Sequence, residues 1–385
     1  MLPSKHIPAR YVRQLNFYML LMTPKKLISP FYERMALVLI GIIALSYLVI
    51  LGKDILDPLL FGFLFAVLLL PLSNFFERKC KFPRSASSFT AILLFIGFLS
   101  LVIYLVGAQV SKLASDWPML KSQIAQSLID IQGWVQTSFH INADKQMNYV
   151  NTTTEKIMES GTVVLGTTFG AVSSILLFAV FILIFTFFIL FYRRLLLRFV
   201  IRVFSEDHSS VVMDIVQNVQ RILRQYILGL MLEMIVVACL ACAAFWFFGI
   251  KYAVLLGILV GLFNIIPYIG IFTALLLSTV VTFATGNLQQ TFIVAGSVIG
   301  IHIIDSNFLL PIIVGSKVRL NALITFIGII IGEMMWGLSG MFLSIPVIAV
   351  FKIIFDRVES LKPWGYLLGG DYEYSEKAKK KMKTE

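Results

Sequence analysis

Apolar and polar positions alternate along this chain in long blocks, not at the two-residue period of a strand. Apolar blocks fall at 35–52, 55–72, 87–110, 161–192 and 226–248, and three more at 252–285, 290–304 and 321–355. About 20 apolar residues in a helix cross a bilayer core. The first five blocks are therefore read as membrane helices. The first two form a hairpin turning at Gly52–Asp54, with Pro58 near the start of its second arm. Pro71, followed by ERKCKFPR, is expected to end that arm. The block at 161–192 would be about 48 Å long as a helix and is expected to tilt or to project past the hydrocarbon. Arg193, Arg194, Arg198 and Arg202 mark its inner end.

Residues 111–160 are a polar insertion, with four Lys against five Asp and Glu. Within it, Trp117, Leu120, Ile124, Leu128, Ile131 and Val135 recur three or four apart, which predicts an amphipathic helix whose apolar stripe needs a partner. Two readings stay open: a lid over a pathway, or a packing arm between neighbouring subunits.

The last blocks are less regular. Residues 252–285 and 321–355 hold about 35 residues each, too many for one comfortable span and fewer than the roughly 40 that two would need. Set at a constant offset of 79, residues 247–267 (FFGIKYAVLLGILVGLFNIIP) and 326–346 (FIGIIIGEMMWGLSGMFLSIP) are identical at seven of 21 positions and share G-x-F-x-x-I-P. A re-entrant hairpin fits each block, with arms reaching about half-way and turning at the Gly and Pro positions. If 290–304 crosses once between them, the first opens outward and the second inward. The expected fold is an all-α polytopic membrane protein of about eight transmembrane segments, including two re-entrant helical hairpins in an inverted repeat. Such interrupted, inverted segments point to a site of passage near the bilayer midplane. The plainer alternative is a proline kink in an ordinary helix.

Composition agrees with the pattern. Of 385 residues, 58% are hydrophobic and 14% charged, and the mean hydropathy is +0.89. The net charge of +11 is a matter of topology. With the N-terminus in the cytoplasm, 26 of the 32 Lys and Arg lie inside, leaving Lys53, Lys112, Lys121, Lys145, Lys156 and Lys251 outside. This positive-inside bias makes the lipid bilayer the partner and removes the need for a nucleic acid. The first apolar block is expected to stay as a span, since LGKDILDPLL offers no small-x-small cleavage site. The expected organisation is a cytoplasmic extension (1–34), N-terminal membrane helices (35–110), an extracytoplasmic insertion (111–160), a long helix with a basic connector (161–225), a core carrying both hairpins (226–355) and a basic cytoplasmic tail (356–385).

Few ionisable groups fall inside these blocks, and each is costly enough to need a reason. Glu233 sits in YILGLMLEMIVVACL and Glu333 in IIIGEMMWG. His302 and Asp305 are three apart and share a helix face, so they could exchange a proton or hold a cation together. Asn264 and Ser344 are polar positions near the two turn motifs. With Pro267, Gly270, Asn307, Pro311, Gly340 and Pro346 these outline a polar path. Against that stands a structural role, with Glu233 and Glu333 hydrogen-bonded between helices and Asp305 capping a helix end. Cys239 and Cys242 read as small packing residues, and GxxxG pairs such as Gly257 with Gly261, Gly296 with Gly300, and Gly328 with Gly332 read as sites of close helix packing. No phosphate loop, zinc motif or nucleophile elbow occurs, so neither an enzyme nor a cofactor is expected.

The segments NIIPYIG at 264–270, IDSNFLLPIIVGSKV at 304–318 and GEMMWGLSGMFLSIPVIAVFK at 332–352 resemble the autoinducer-2 exporter family of bacterial permeases. The likeness covers most of the chain, including the paired N-terminal spans, and leaves the first 30 residues as an extension. It implies an eight-helix inner-membrane permease with cytoplasmic termini that moves a small polar solute, a monovalent cation, or both. Some relatives are assigned to autoinducer-2 export and others to sodium/proton antiport. Homo-oligomers, pentamers among them, are implied as well. Asn321 stands where many relatives carry His, so the resemblance carries no His-based proton role to that position. From a different class, a non-transporting membrane scaffold would use residues 111–160 or the basic tail as its binding surface.

Overall fold

A continuous apolar segment in hydrocarbon must satisfy its own backbone N–H and C=O groups, and a helix does so within the segment. The computed structural model follows that rule over the residues it describes, 31–116, 122, 174–204, 209–267, 269–315 and 320–369. No strand occurs among them. Six of the described helices are long and apolar enough to cross a membrane, and four shorter apolar ones accompany them. Of the expected insertion at 111–160, residues 111–115 continue α3, and those after Asp116, save Ser122, lie outside the described residues.

The chain divides into two units, Met1–Gly52 and Lys53–Glu385. The described part of the first is α1 (Phe31–Leu51), whose Leu37, Val38, Ile40 and Ile43 are all exposed. A helix so apolar on every face suits lipid.

The second unit begins with α2 (Lys53–Arg78), α3 (Arg84–Ser115) and a helix α4 (Ser174–Val203). Pro71 does not end α2, which runs on to Arg78. The missing N–H of a proline removes one helical bond, and the two turns beyond are held by tertiary contacts instead. Ser73, Asn74 and Glu77 lie on that extension. Arg193 donates to the Ser73 hydroxyl at 3.2 Å, to the Asn74 side-chain oxygen at 3.0 Å and to Glu77, while Arg194 reaches Glu77 at 2.7 Å. The arginines expected to mark the inner end of the fourth block therefore sit within α4, which continues to Val203. Higher up, Gly62 lets α2 approach the α4 backbone at Ile182, and Phe61 stacks on Phe342 with ring centroids 5.5 Å apart.

Next come α5 (Ser209–Phe247), α6 (Ala253–Phe263), α7 (Ile269–Thr285) and α8 (Leu288–Ile304). Two π turns, Asp305–Leu309 and Pro311–Gly315, extend α8. The chain ends in α9 (Ala322–Trp336), α10 (Leu338–Arg357), a 3-10 turn (Glu359–Leu361) and α11 (Lys362–Gly369). Their core is built around α6. Leu255, Leu256 and Val260 pack there with Val237, Ala241 and Phe245 of α5 and with Val294 and Val298 of α8, all 5% exposed or less. Gly257 and Gly261 allow this, since a Cβ on either would run into Cys242 or Ala238. The packing role read for Cys242 and for that GxxxG pair is present. Gly296 and Gly300 face open space instead.

Each of the last apolar blocks reverses direction, and the two pairs open toward opposite ends of α5. The mouth of α6 and α7 lies beside the Phe247 end, where Gln290 donates to the Gly249 carbonyl at 3.5 Å. The mouth of α9 and α10 lies beside the Ser209 end, where Arg357 pairs with Asp214 and the Asn321 N–H bonds the Leu368 carbonyl at 2.8 Å. The reversals are built differently. The first turns through Asn264–Pro267, as expected. The second turns at Gly337, and Pro346 is inside α10. Gly337 has φ +65°, a left-handed backbone that strains any residue with a Cβ, and this fixes the reversal there. The 79-residue offset thus aligns like residues at unlike structural positions. Beyond the turn, Gly332 and Gly340 bring the two arms together backbone to backbone.

At the Phe247 end, Asp116, just past α3, accepts from the Tyr252 hydroxyl and pairs with Lys251 at 3.0 Å. These two partners hold the Asp116 carboxyl below the usual carboxylate range. A depressed folded-state pKa contributes stability above the unfolded value, lost as pH falls through the folded one. The melting temperature of Asp116→Asn in detergent should fall below that of wild type at neutral pH and match it only below about pH 4. For the second pair, Gly340→Ala should cost about 1–3 kcal/mol of stability, since the clash is with backbone. Gly296→Ala should change the melting temperature in detergent little.

Candidate functional site

Three elements converge on one buried polar cluster. Glu233 lies on α5, about 21 Å along the axis from Phe247, and is 2% exposed. Asp305, 4% exposed, lies where α8 passes into its first π turn. Asn264 is at the tip of the first reversal, closing α6 with its N–H on the Val260 carbonyl. Its side-chain amide donates to Glu233 Oε1 at 3.3 Å and to Asp305 Oδ2 at 3.1 Å. Bonding to one nitrogen brings the Glu233 and Asp305 carboxyl groups side by side.

One amide thus ties two carboxyl groups from two other helices. Their remaining oxygens, Glu233 Oε2 and Asp305 Oδ1, are buried with no protein partner. Two carboxylates this close repel unless a proton or a cation compensates them, and burial removes the water that would otherwise screen the charge. Two acid groups with an amide oxygen beside them are a hard donor set, suited to a proton or a small monovalent cation. A small cleft of about 10 Å³, walled by Val237, Val260, Ala274 and Val298, borders the cluster.

The structure brings together part of the expected path. His302 is half-buried on the same cleft, with Nε2 3.3 Å from the Ser306 hydroxyl and Nδ1 unpartnered. Pro267 is in the reversal, its carbonyl accepting the Ile269 N–H at 2.7 Å. Gly270 is where α7 crosses close over the Phe263 carbonyl. The others lie elsewhere. Asn307 is exposed and bonds the Ile303 carbonyl, Pro311 is exposed in the second π turn, and Glu333 is exposed near the tip of the second pair. Gly340 is the backbone contact with Gly332, and Pro346 lines an apolar cavity with Leu64 and Leu223. Ser344 donates to the Met341 carbonyl at 2.6 Å, and Asn321 caps α9 by accepting from the Leu323 N–H. Asp305 closes α8 through its backbone N–H, while its side chain joins the Asn264 cluster.

Two buried polar groups escaped the sequence reading. Tyr226, two turns before Glu233 on α5, is 4% exposed and lies near the Glu233 carboxyl. Asp57 on α2 is 4% exposed as well. Its signal is legible in LGKDILDPLL, an acid one turn inside an apolar helix.

Residues 36–360 match the family described as AI-2E family transporter. The chain belongs to that family. Among curated proteins it is similar to the putative transport protein YueF of Bacillus subtilis (strain 168), 25% identical over 313 residues, covering 79% of this chain and 84% of that one. The putative transport protein YrrI of the same organism is 25% identical over 315 residues, with 78% and 86% covered. The putative transport protein YhhT of Escherichia coli (strain K12) is 22% identical over 320 residues, with 83% and 89% covered. As an AI-2E family member the chain is a multi-pass membrane protein of a bacterial permease family.

Asn264→Ala leaves both carboxyl groups of the cluster without their shared donor. The expected cost is about 1–3 kcal/mol, read as a lower melting temperature in detergent. Adding Glu233→Gln restores a donor and should recover at least half of that loss.

Proposed function

We propose that this AI-2E family member is an inner-membrane secondary transporter that exports a small polar solute. In this reading α6 with α7 and α9 with α10 are re-entrant pairs entering from opposite faces, and both termini are cytoplasmic. One observation carries it: the tip of the first pair ends in an amide that holds two buried, otherwise under-satisfied carboxyl groups from α5 and α8. A purely structural turn has no use for two acids that need a proton or a cation to coexist. Loading or unloading that charge would alter how firmly Asn264 is held, and so bias the tip between closed and open positions.

Sodium/proton antiport is a second reading, favoured by the same carboxyl pair, in which the cation is itself the cargo. Purified protein in liposomes separates the two. Under the export reading, Glu233→Gln and Asp305→Asn each lower solute flux at least tenfold while the protein stays folded. A lithium or sodium pulse should give no proton movement without solute. Unchanged flux in both variants would remove the cluster from the mechanism, and proton movement driven by sodium alone would favour antiport.

A further inference from the structure

The tip of the second pair also meets a buried acid. Asp57 stands one turn inside α2 and one turn before Phe61, whose ring stacks on Phe342 of α10, so its carboxyl faces the first turn of α10 where Ser339 lies. It is 4% exposed, and Oδ1 has no partner. Gly337, the residue that opens α10, offers no side chain to cap it. The first turn of a 20-residue helix therefore begins without a side-chain cap beside a buried acid from another helix.

We propose that Asp57 is a second proton-binding site, and that its ionised form latches the tip of α9 and α10 against α2. As a carboxylate, Asp57 accepts a charge-assisted hydrogen bond from Ser339 and complements the positive end of α10. Protonation removes the attraction to the helix end and leaves a neutral Asp57–Ser339 hydrogen bond of about half the strength. Glu333, the other acid near this tip, is exposed, which leaves Asp57 as the buried one. Lys53, one turn earlier on α2, is the charged side chain that acts on it. Elements packed along α2 present Phe178, Ile182 and Phe185 from α4, Leu223 from α5 and Phe342 from α10, none of which titrates. The two tips then share one logic: each is tethered by a neutral polar group, Asn264 or Ser339, to acid on a neighbouring long helix. This deepens the transporter reading, resting on it for the idea that the tips open and close.

The test reads water access to the second tip. In full-length protein with Cys80, Cys239 and Cys242 replaced by Ala, Met341→Cys places a thiol two residues from Ser339, at a position 7% exposed. Its reaction with a membrane-impermeant thiol reagent is followed in liposomes from about pH 8 to about pH 5 and divided by the rate of the same variant unfolded in detergent at that pH. With Asp57 present the normalised rate should rise about tenfold as pH falls. Asp57→Asn should give the fast rate at every pH, and Ser339→Ala an intermediate one. Val294→Cys, fully buried on α8, should stay unlabelled throughout. A slope unchanged by Asp57→Asn overturns the proposal. So does labelling of Val294→Cys in the Asp57→Asn background, which would show general loosening. A slope that persists in Glu233→Gln supports a separate site at Asp57, whether or not that variant transports; one abolished by Glu233→Gln but not by Asp57→Asn assigns the proton to the first cluster instead.

Discussion

Inside hydrocarbon, a chain must satisfy its polar groups with its own atoms, and this protein places the breaks in its helices where neighbours can meet that demand. The first reversal frees backbone and side-chain groups at Asn264–Pro267, and the amide released there is taken up by Glu233 and Asp305. The π turns that follow Ile304 displace the helix register where Asp305 enters the cluster. Such turns often accompany functional positions, because the extra residue per turn re-aims a side chain. The acids, the amide and the irregular backbone are therefore one feature seen from three helices.

Close packing surrounds this centre. The apolar core around α6 leaves no room for a larger residue at Gly257 or Gly261, so α6 cannot slide on α5 without moving the cluster. Near the Ser209 end, Glu77 with Arg193 and Arg194 ties α2 to α4, and Arg357 with Asp214 ties α10 to α5. At the other end, Asp116 with Lys251 and Tyr252 fastens α3 to the entrance of α6. Ion pairs near the ends and small residues at helix crossings leave the two tips as the places where a few hydrogen bonds decide position.

The two pairs look alike in sequence and differ in construction. The shared G-x-F-x-x-I-P marks a reversal in one and a continuous helix in the other, because Gly337 supplies a left-handed residue nine positions before Pro346. With the turn already made, Pro346 is tolerated inside α10 and packs against α2 and α5. Pro71 teaches the same lesson: a proline states that one hydrogen bond is missing, and the surroundings determine whether the helix stops.

Hydropathy and the placement of Lys and Arg determined on their own that this chain is helical and multi-pass, because length and burial of apolar residues in lipid depend on local composition. The singular acids Glu233 and Asp305 stood out for the same reason, since an ionisable group in an apolar run is costly wherever it ends up. Only the tertiary structure decided which of the polar residues meet. Asn264 joined them, whereas Glu333, Asn307 and Pro311 face outward on their helices. Convergence of side chains from α5, α8 and the α6 tip depends on crossing points set by Gly257, Gly261 and Gly270, and a contact made across 41 residues of chain leaves no periodic trace in it.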